Sequence, residues 1–227
     1  MVYLGFTDEM LKELEWLSGK ELKNMSFVND EEKTGLIPQS VYGNLFLGVD
    51  NEYVEVGNLF KTVNYFGKIE DISMLFCKFR KNAVECLHHR CNEGAREYII
   101  NDKIEKIIII RDNVEIYQSE YEIKFVPDND RVDENKGERE LIGTKDLGSI
   151  AFNPYIYNIT LDQALVLECR ENTYIFLRGS LFTEEVLISV NRNYMGEICT
   201  VDEVQRYWKF GNEGLKIKVK REKIEMG

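Results

Sequence analysis

Cys86, His88, His89 and Cys91 are the one place in this 227-residue chain where soft metal ligands gather, with Cys77 nearby. On a helix, His88 with Cys91, or Cys86 with His89, share a face at a spacing of three, which suits two ligands of a zinc ion. A closed site needs four, and no CxxC or HxxxH pair supplies the others. Structural cysteines beside a surface histidine pair are therefore the expectation, with no metal bound.

A second constellation is made of carboxylates. Asp112 follows an isoleucine-rich run, and Glu122-Ile-Lys124 comes ten residues later. This resembles the Asp, Glu-x-Lys core of metal-dependent nucleases. The resemblance implies two carboxylates holding Mg²⁺ on adjacent strands while Lys124 orients the attacking water. The residues that follow are acidic where a nuclease needs a basic face toward DNA, so an alternating, salt-bridged strand surface is the competing expectation. Other chemistries leave no trace. The chain has no GxSxG elbow, no GxxxxGK[ST] and no GxGxxG, and Gly211-Asn-Glu-Gly214 is placed to close a helix rather than to open one. After Asp128 and Asp130 a calcium loop of the EF-hand type fails, with Val132 at its fifth position and Asp133 where its glycine belongs. No catalytic residue and no cofactor is expected.

The elements that must carry these residues centre on Tyr98 to Val126. Ile107 to Ile110 is a run of four β-branched residues between Lys106 and Arg111, short enough for a strand covered on both faces. Asp112 and Asn113 read as a turn, after which Val114 and Ile116, then Tyr121, Ile123 and Phe125, alternate with charge as strands with one wet face. At the start, Thr7 caps a helix whose first turn holds Asp8 and Glu9 and whose packing stripe is Met10, Leu11, Leu14 and Leu17. Gly19 can close it, and Lys20 to Met25 can add a turn, making residues 1–28 a helical segment. A hairpin follows: Leu45, Leu47 and Val49, a turn at Asp50-Asn51, then Tyr53, Val54 and Val56. GNLF stands at both 43 and 57, too close together for a solenoid repeat.

Ile69 to Phe79 reads as a strand and Ala83 to Asn92 as a short helix opened by Asn82 and Glu85. Ala164 to Cys169 and Tyr174 to Leu177 form a hairpin turning at Glu171-Asn172, and Val186 to Val190 is a further strand. Thr200 with Glu203 is a capping box opening a helix that runs through Trp208 to Gly211. In the tail, Lys216, Lys218 and Lys220 alternate with apolar residues, the pattern of an edge strand protected by lysine. Together these give a single mainly β domain over 1–227, an antiparallel sandwich or half-open barrel of about ten strands with two or three short helices.

Composition bounds the function. A chain of this size buries roughly 70% of the surface its unfolded form exposes and needs no staples. Five scattered cysteines fit a reducing compartment, and no apolar run or leader points to a membrane or to export, so the cytoplasm is expected. Net charge is −11, with thirteen acids against eight bases in residues 101–150 and five against seven in 201–227. Residues 127–146 have no periodicity and seven acids, and read as a long exposed loop. A negative field repels nucleic acid backbones and attracts basic surfaces. The expectation is a non-enzymatic acidic protein that blocks a basic surface of another protein, as toxin-immunity proteins and phage-encoded anti-CRISPR proteins do. Asp128, Asp130, Asp133, Glu134, Glu138 and Glu140 would be the contacting residues, and the partner could itself bind nucleic acid. A structural or assembly protein is the first alternative and an Mg²⁺-dependent nuclease the second.

Overall fold

The computed structural model describes residues 1–28, 37, 39–65, 68–81, 95–118, 156–179, 185–210 and 215–227. Among them, eleven strands and two short α-helices make a mainly β, antiparallel α+β fold whose sheet does not close. The strands are β1 (Val2–Leu4), β2 (Glu21–Val28), β3 (Ser40–Tyr42), β4 (Leu45–Val49), β5 (Glu52–Tyr65), β6 (Lys68–Arg80), β7 (Ala95–Gln118), β8 (Ile156–Cys169), β9 (Thr173–Arg178), β10 (Glu185–Val190) and β11 (Leu215–Met226). The helices are α1 (Asp8–Glu15) and α2 (Val201–Lys209). Neighbours run β3-β10-β9-β8-β7-β2-β4-β5-β6, with β11 added beside β7 and β1 lying parallel to β8.

Strand β7 organises this sheet. Its first part pairs with β2, and its second part lies between β8 on one side and β11 on the other. Ile107 to Ile110 therefore have ladder partners on both sides, as the sequence pattern demands. Ile107 and Ile109 enter the main core with Phe27, Leu165 and Phe176, while Ile108 and Ile110 pack on the opposite face under Tyr194 and Ile198. Both faces of the run are covered.

The expected turn at Asp112-Asn113 does not form. Strand β7 continues through both residues, which face Leu161 and Thr160 of β8 and Arg221 and Lys220 of β11. Backbone partners on two sides satisfy the groups a turn would otherwise bend to satisfy, so local turn preference loses to the ladder. Residues 21–25 differ in the same way. They belong to β2, paired with β4 and β7, instead of prolonging α1.

Other elements follow their local chemistry. Thr7 Oγ1 accepts from Met10 N at 3.3 Å to cap α1, Leu14 and Leu17 bury its stripe, and Gly19 turns the chain at φ +72°. The β4–β5 hairpin turns at Asp50, and Asp102 accepts from the Glu171 and Asn172 amides at 2.9–3.2 Å to hold the β8–β9 turn. Thr200 and Glu203 complete the capping box of α2, which leaves helical geometry at Phe210, before Gly211. The two GNLF copies play different parts. Asn44 of the first donates to Glu55, and Gly57 of the second lies within β5 directly beneath Asn44.

The two arms of the sheet fold over one another. Ser73 Oγ of β6 donates to Gly179 O at 2.5 Å, and Asn58 Nδ2 of β5 donates to the same oxygen at 3.2 Å. That junction lies where β8 carries an extra residue. The register passes from Ile110↔Ala164 to Arg111↔Asp162, leaving Gln163 unopposed as a bulge. The helix expected over Ala83 to Asn92, the strand over Tyr121 to Phe125, and the loop over 127–146 lie outside the described residues.

Candidate functional site

Adjacent residues of β7 point to opposite faces of the sheet, and here that alternation places Arg111 on one face and Asp112 on the other. Each meets the opposite charge on a neighbouring strand. Arg111 donates through Nε to Asp162 Oδ1 at 2.7 Å and through Nη2 to Oδ2 at 3.0 Å. Asp162 Oδ2 also accepts from the Phe6 amide at 2.6 Å, which ties β1 and its exit to the pair. Burial works against the guanidinium charge of Arg111, yet the hydrogen bonds and charge of Asp162 outweigh it and raise its pKa. Tyr3 stacks on the outer side of that guanidinium, 5.2 Å from ring centre to carbon, and donates its hydroxyl to Phe6 O at 2.8 Å.

Asp112 is 0% exposed and is gripped by Arg221 of β11, Nε to Oδ1 at 2.7 Å and Nη2 to Oδ2 at 2.8 Å. Arg221 Nη1 also donates to Cys199 O at 2.7 Å, joining this pair to the segment that precedes α2. A third pair repeats the theme in the other arm. Arg80 Nε donates to Glu55 Oε2 at 2.6 Å while Asn44 holds the second oxygen.

The nuclease-like constellation therefore changes its meaning at its first member. Asp112 does not end a strand at an open surface: it lies within β7, out of contact with water, and each of its oxygens accepts from Arg221. Glu122 and Lys124 lie outside the described residues, as do Asp128, Asp130, Asp133, Glu134, Glu138 and Glu140, and also Cys86, His88, His89 and Cys91. Among the described residues no group of three His, Cys, Asp or Glu side chains is placed to hold a metal ion, and no helix is long and apolar enough to cross a membrane.

The described cysteines carry no paired sulfur. Cys77 is buried with Sγ donating to Met10 O at 3.2 Å, and Cys169 is buried beneath the β8–β9 turn. Burial pushes the Cys169 thiol up to about 12 and the Cys77 thiol higher still, so both remain protonated and unreactive. Cys199 is exposed.

One polar group has no counterpart of this kind. Arg178 ends β9 beside the Gln163 bulge, where its Nη1 donates to Ser73 Oγ at 2.9 Å and to Ser73 O at 3.3 Å. Its Nη2 reaches Gln163 Oε1 only at 3.5 Å, and its buried Nε has no hydrogen-bond partner among the described residues. Removal from water lowers its pKa. Sequence reading passes over Arg178, because a lone arginine at a strand end carries no spacing signal and Ser73 lies 105 residues away.

At the surface, Lys216, Lys218 and Lys220 are exposed along β11, whose ladder partner among the described residues is β7 alone, as an edge strand requires. Tyr42, Tyr207 and Phe210 are exposed, Phe210 at 89%. No family model, curated protein or solved structure matches this chain.

Proposed function

We propose that this chain is a non-enzymatic acidic binding protein that covers a basic surface on another protein, in the manner of an immunity protein or a phage-encoded anti-CRISPR inhibitor. The observation that carries the reading is that three buried carboxylates spend their charge inside the protein. Asp112, Asp162 and Glu55 are each held by a guanidinium, from Arg221, Arg111 and Arg80. These pairs cancel, so the excess of −11 belongs to the other charged groups, those of the acidic stretch 127–146 among them. A field of that sign accelerates encounter with a basic partner, and exposed aromatics such as Tyr207 and Phe210 offer anchors once contact is made.

The test is affinity capture from a lysate of the source cells with the immobilised chain, beside a variant in which Asp128, Asp130, Asp133, Glu134, Glu138 and Glu140 are replaced by lysine. Capture of a basic protein by the native chain, eluted by salt and absent with the variant, is the expected result. Equal capture by both removes the acidic stretch from the interface.

The edge of twelve-residue β11 that meets no strand among the described residues supports a second reading, an assembly protein that adds strands from other copies. Light scattering separates the two, since assembly requires a mass above one chain.

A further inference from the structure

Four arginines among the described residues are half-buried: Arg80, Arg111, Arg178 and Arg221. Three of them turn the Nε/Nη2 edge of the guanidinium onto a carboxylate. Arg111 holds the two oxygens of Asp162 at 2.7 and 3.0 Å, Arg221 those of Asp112 at 2.7 and 2.8 Å, and Arg80 brings both nitrogens to Glu55 Oε2 at 2.6 and 2.5 Å. This is the edge whose two parallel N–H bonds match the spacing of carboxylate oxygens. Arg178 offers the same edge to nothing of that kind. Its opposite side is taken by Ser73; among the described residues its Nε is unpartnered and Nη2 has a single contact, at the limit of hydrogen bonding.

A second orphaned donor stands beside it. Gln163 Nε2 is buried without a partner among the described residues, on the bulge residue that the β7–β8 ladder leaves out. A buried donor left without an acceptor is costly, more so when charged, so two on contacting side chains mark a place where an acceptor belongs. Asp112 lies within the field of Arg178, but both of its oxygens are committed to Arg221.

We propose that the Nε/Nη2 edge of Arg178 binds the carboxylate of a ligand, with Gln163 Nε2 as the third donor. The chemistry requires a planar, singly charged head small enough to enter the junction between β6 and the β8–β9 pair. A free small carboxylate or the carboxyl terminus of a peptide supplies it equally. The site is independent of the acidic stretch, and its presence does not rest on the proposed function.

The experiment follows the arginine Nε–H resonances of the full chain by NMR during titration with formate at constant ionic strength, chloride making up the balance. Acetylated diglycine as free acid and as amide forms a second arm, and inorganic phosphate a third. One Nε–H resonance, missing in Arg178→Lys, is expected to move saturably with formate or with the free-acid peptide, and not with chloride or the amide. Formate alone assigns the source to small molecules, and the peptide acid alone to chain termini. A Gln163→Glu variant places a carboxylate against the open edge. It is expected to raise the unfolding midpoint and abolish the formate response, a readout that survives if Arg178→Lys fails to fold. An unsaturable shift, preference for phosphate, or a formate response retained in Gln163→Glu overturns the proposal.

Discussion

Asp112 and Arg221 stand directly opposite each other on β7 and β11, 109 residues apart in sequence, with two charge-assisted hydrogen bonds joining a carboxylate that water does not reach. The pair fixes the register of the last strand on the central one. A shift of one residue would carry Arg221 to the other face and leave Asp112 charged and alone.

Removing one member is therefore expected to be far worse than removing both. Arg221→Met should destabilise the fold by about 3–5 kcal/mol, because it strands a buried carboxylate. Asp112→Leu combined with Arg221→Met should recover most of that loss. Urea unfolding of the single and double variants measures the coupling; equal losses in the single and double variants would show that the pair acts only through packing.

Gly5 is required by the other pair. A Cβ on this residue would lie 2.7 Å from Asp162 Oδ2 and 3.0 Å from Arg111 Nη2. Gly5→Ala should force the carboxylate off its guanidinium and cost about 1–3 kcal/mol, the range for overpacking a filled interior. Thermal unfolding of Gly5→Ala checks this, and an unchanged midpoint would mean that β1 can shift without disturbing Asp162.

Alkali should unfold the protein through its buried acids. Burial, aided by Asp102, raises Cys169 from an ordinary 9.0 to about 12. Burial likewise raises Tyr174 from 10.0 to about 12. The unfolded chain releases these protons first, so above pH 9 the folded state binds more protons than the unfolded one. Stability is then full below about pH 9 and declines as pH rises toward about 12. Denaturant midpoints across this range should fall for the native chain and fall less steeply for Cys169→Ala. Parallel curves would remove Cys169 from the cause.

Much of this fold was legible in the sequence, where local pattern and tertiary demand agree. The run Ile107–Ile110, the Asp50 hairpin, the Thr7 cap and the Thr200–Glu203 box all declare themselves within a few residues, and each forms. Reading failed where distant partners overrode local preference. Asp112-Asn113 has turn chemistry but gains two ladder neighbours, and residues 21–25 have helical spacing but gain β4 and β7. The polar junction was illegible for a similar reason. Arg178, Ser73, Asn58 and Gln163 meet only because the β5–β6 arm folds onto β9, and no window of sequence contains them together.

The central claim, that outward negative charge is what this chain presents to a partner, is tested most directly by the association rate of the captured partner as ionic strength rises. Steered encounter predicts a rate that falls about tenfold or more between about 20 mM and about 500 mM salt, with the slope flattened when Asp128, Asp130, Asp133, Glu134, Glu138 and Glu140 are replaced by lysine. A rate indifferent to salt, and the same in both chains, would contradict it.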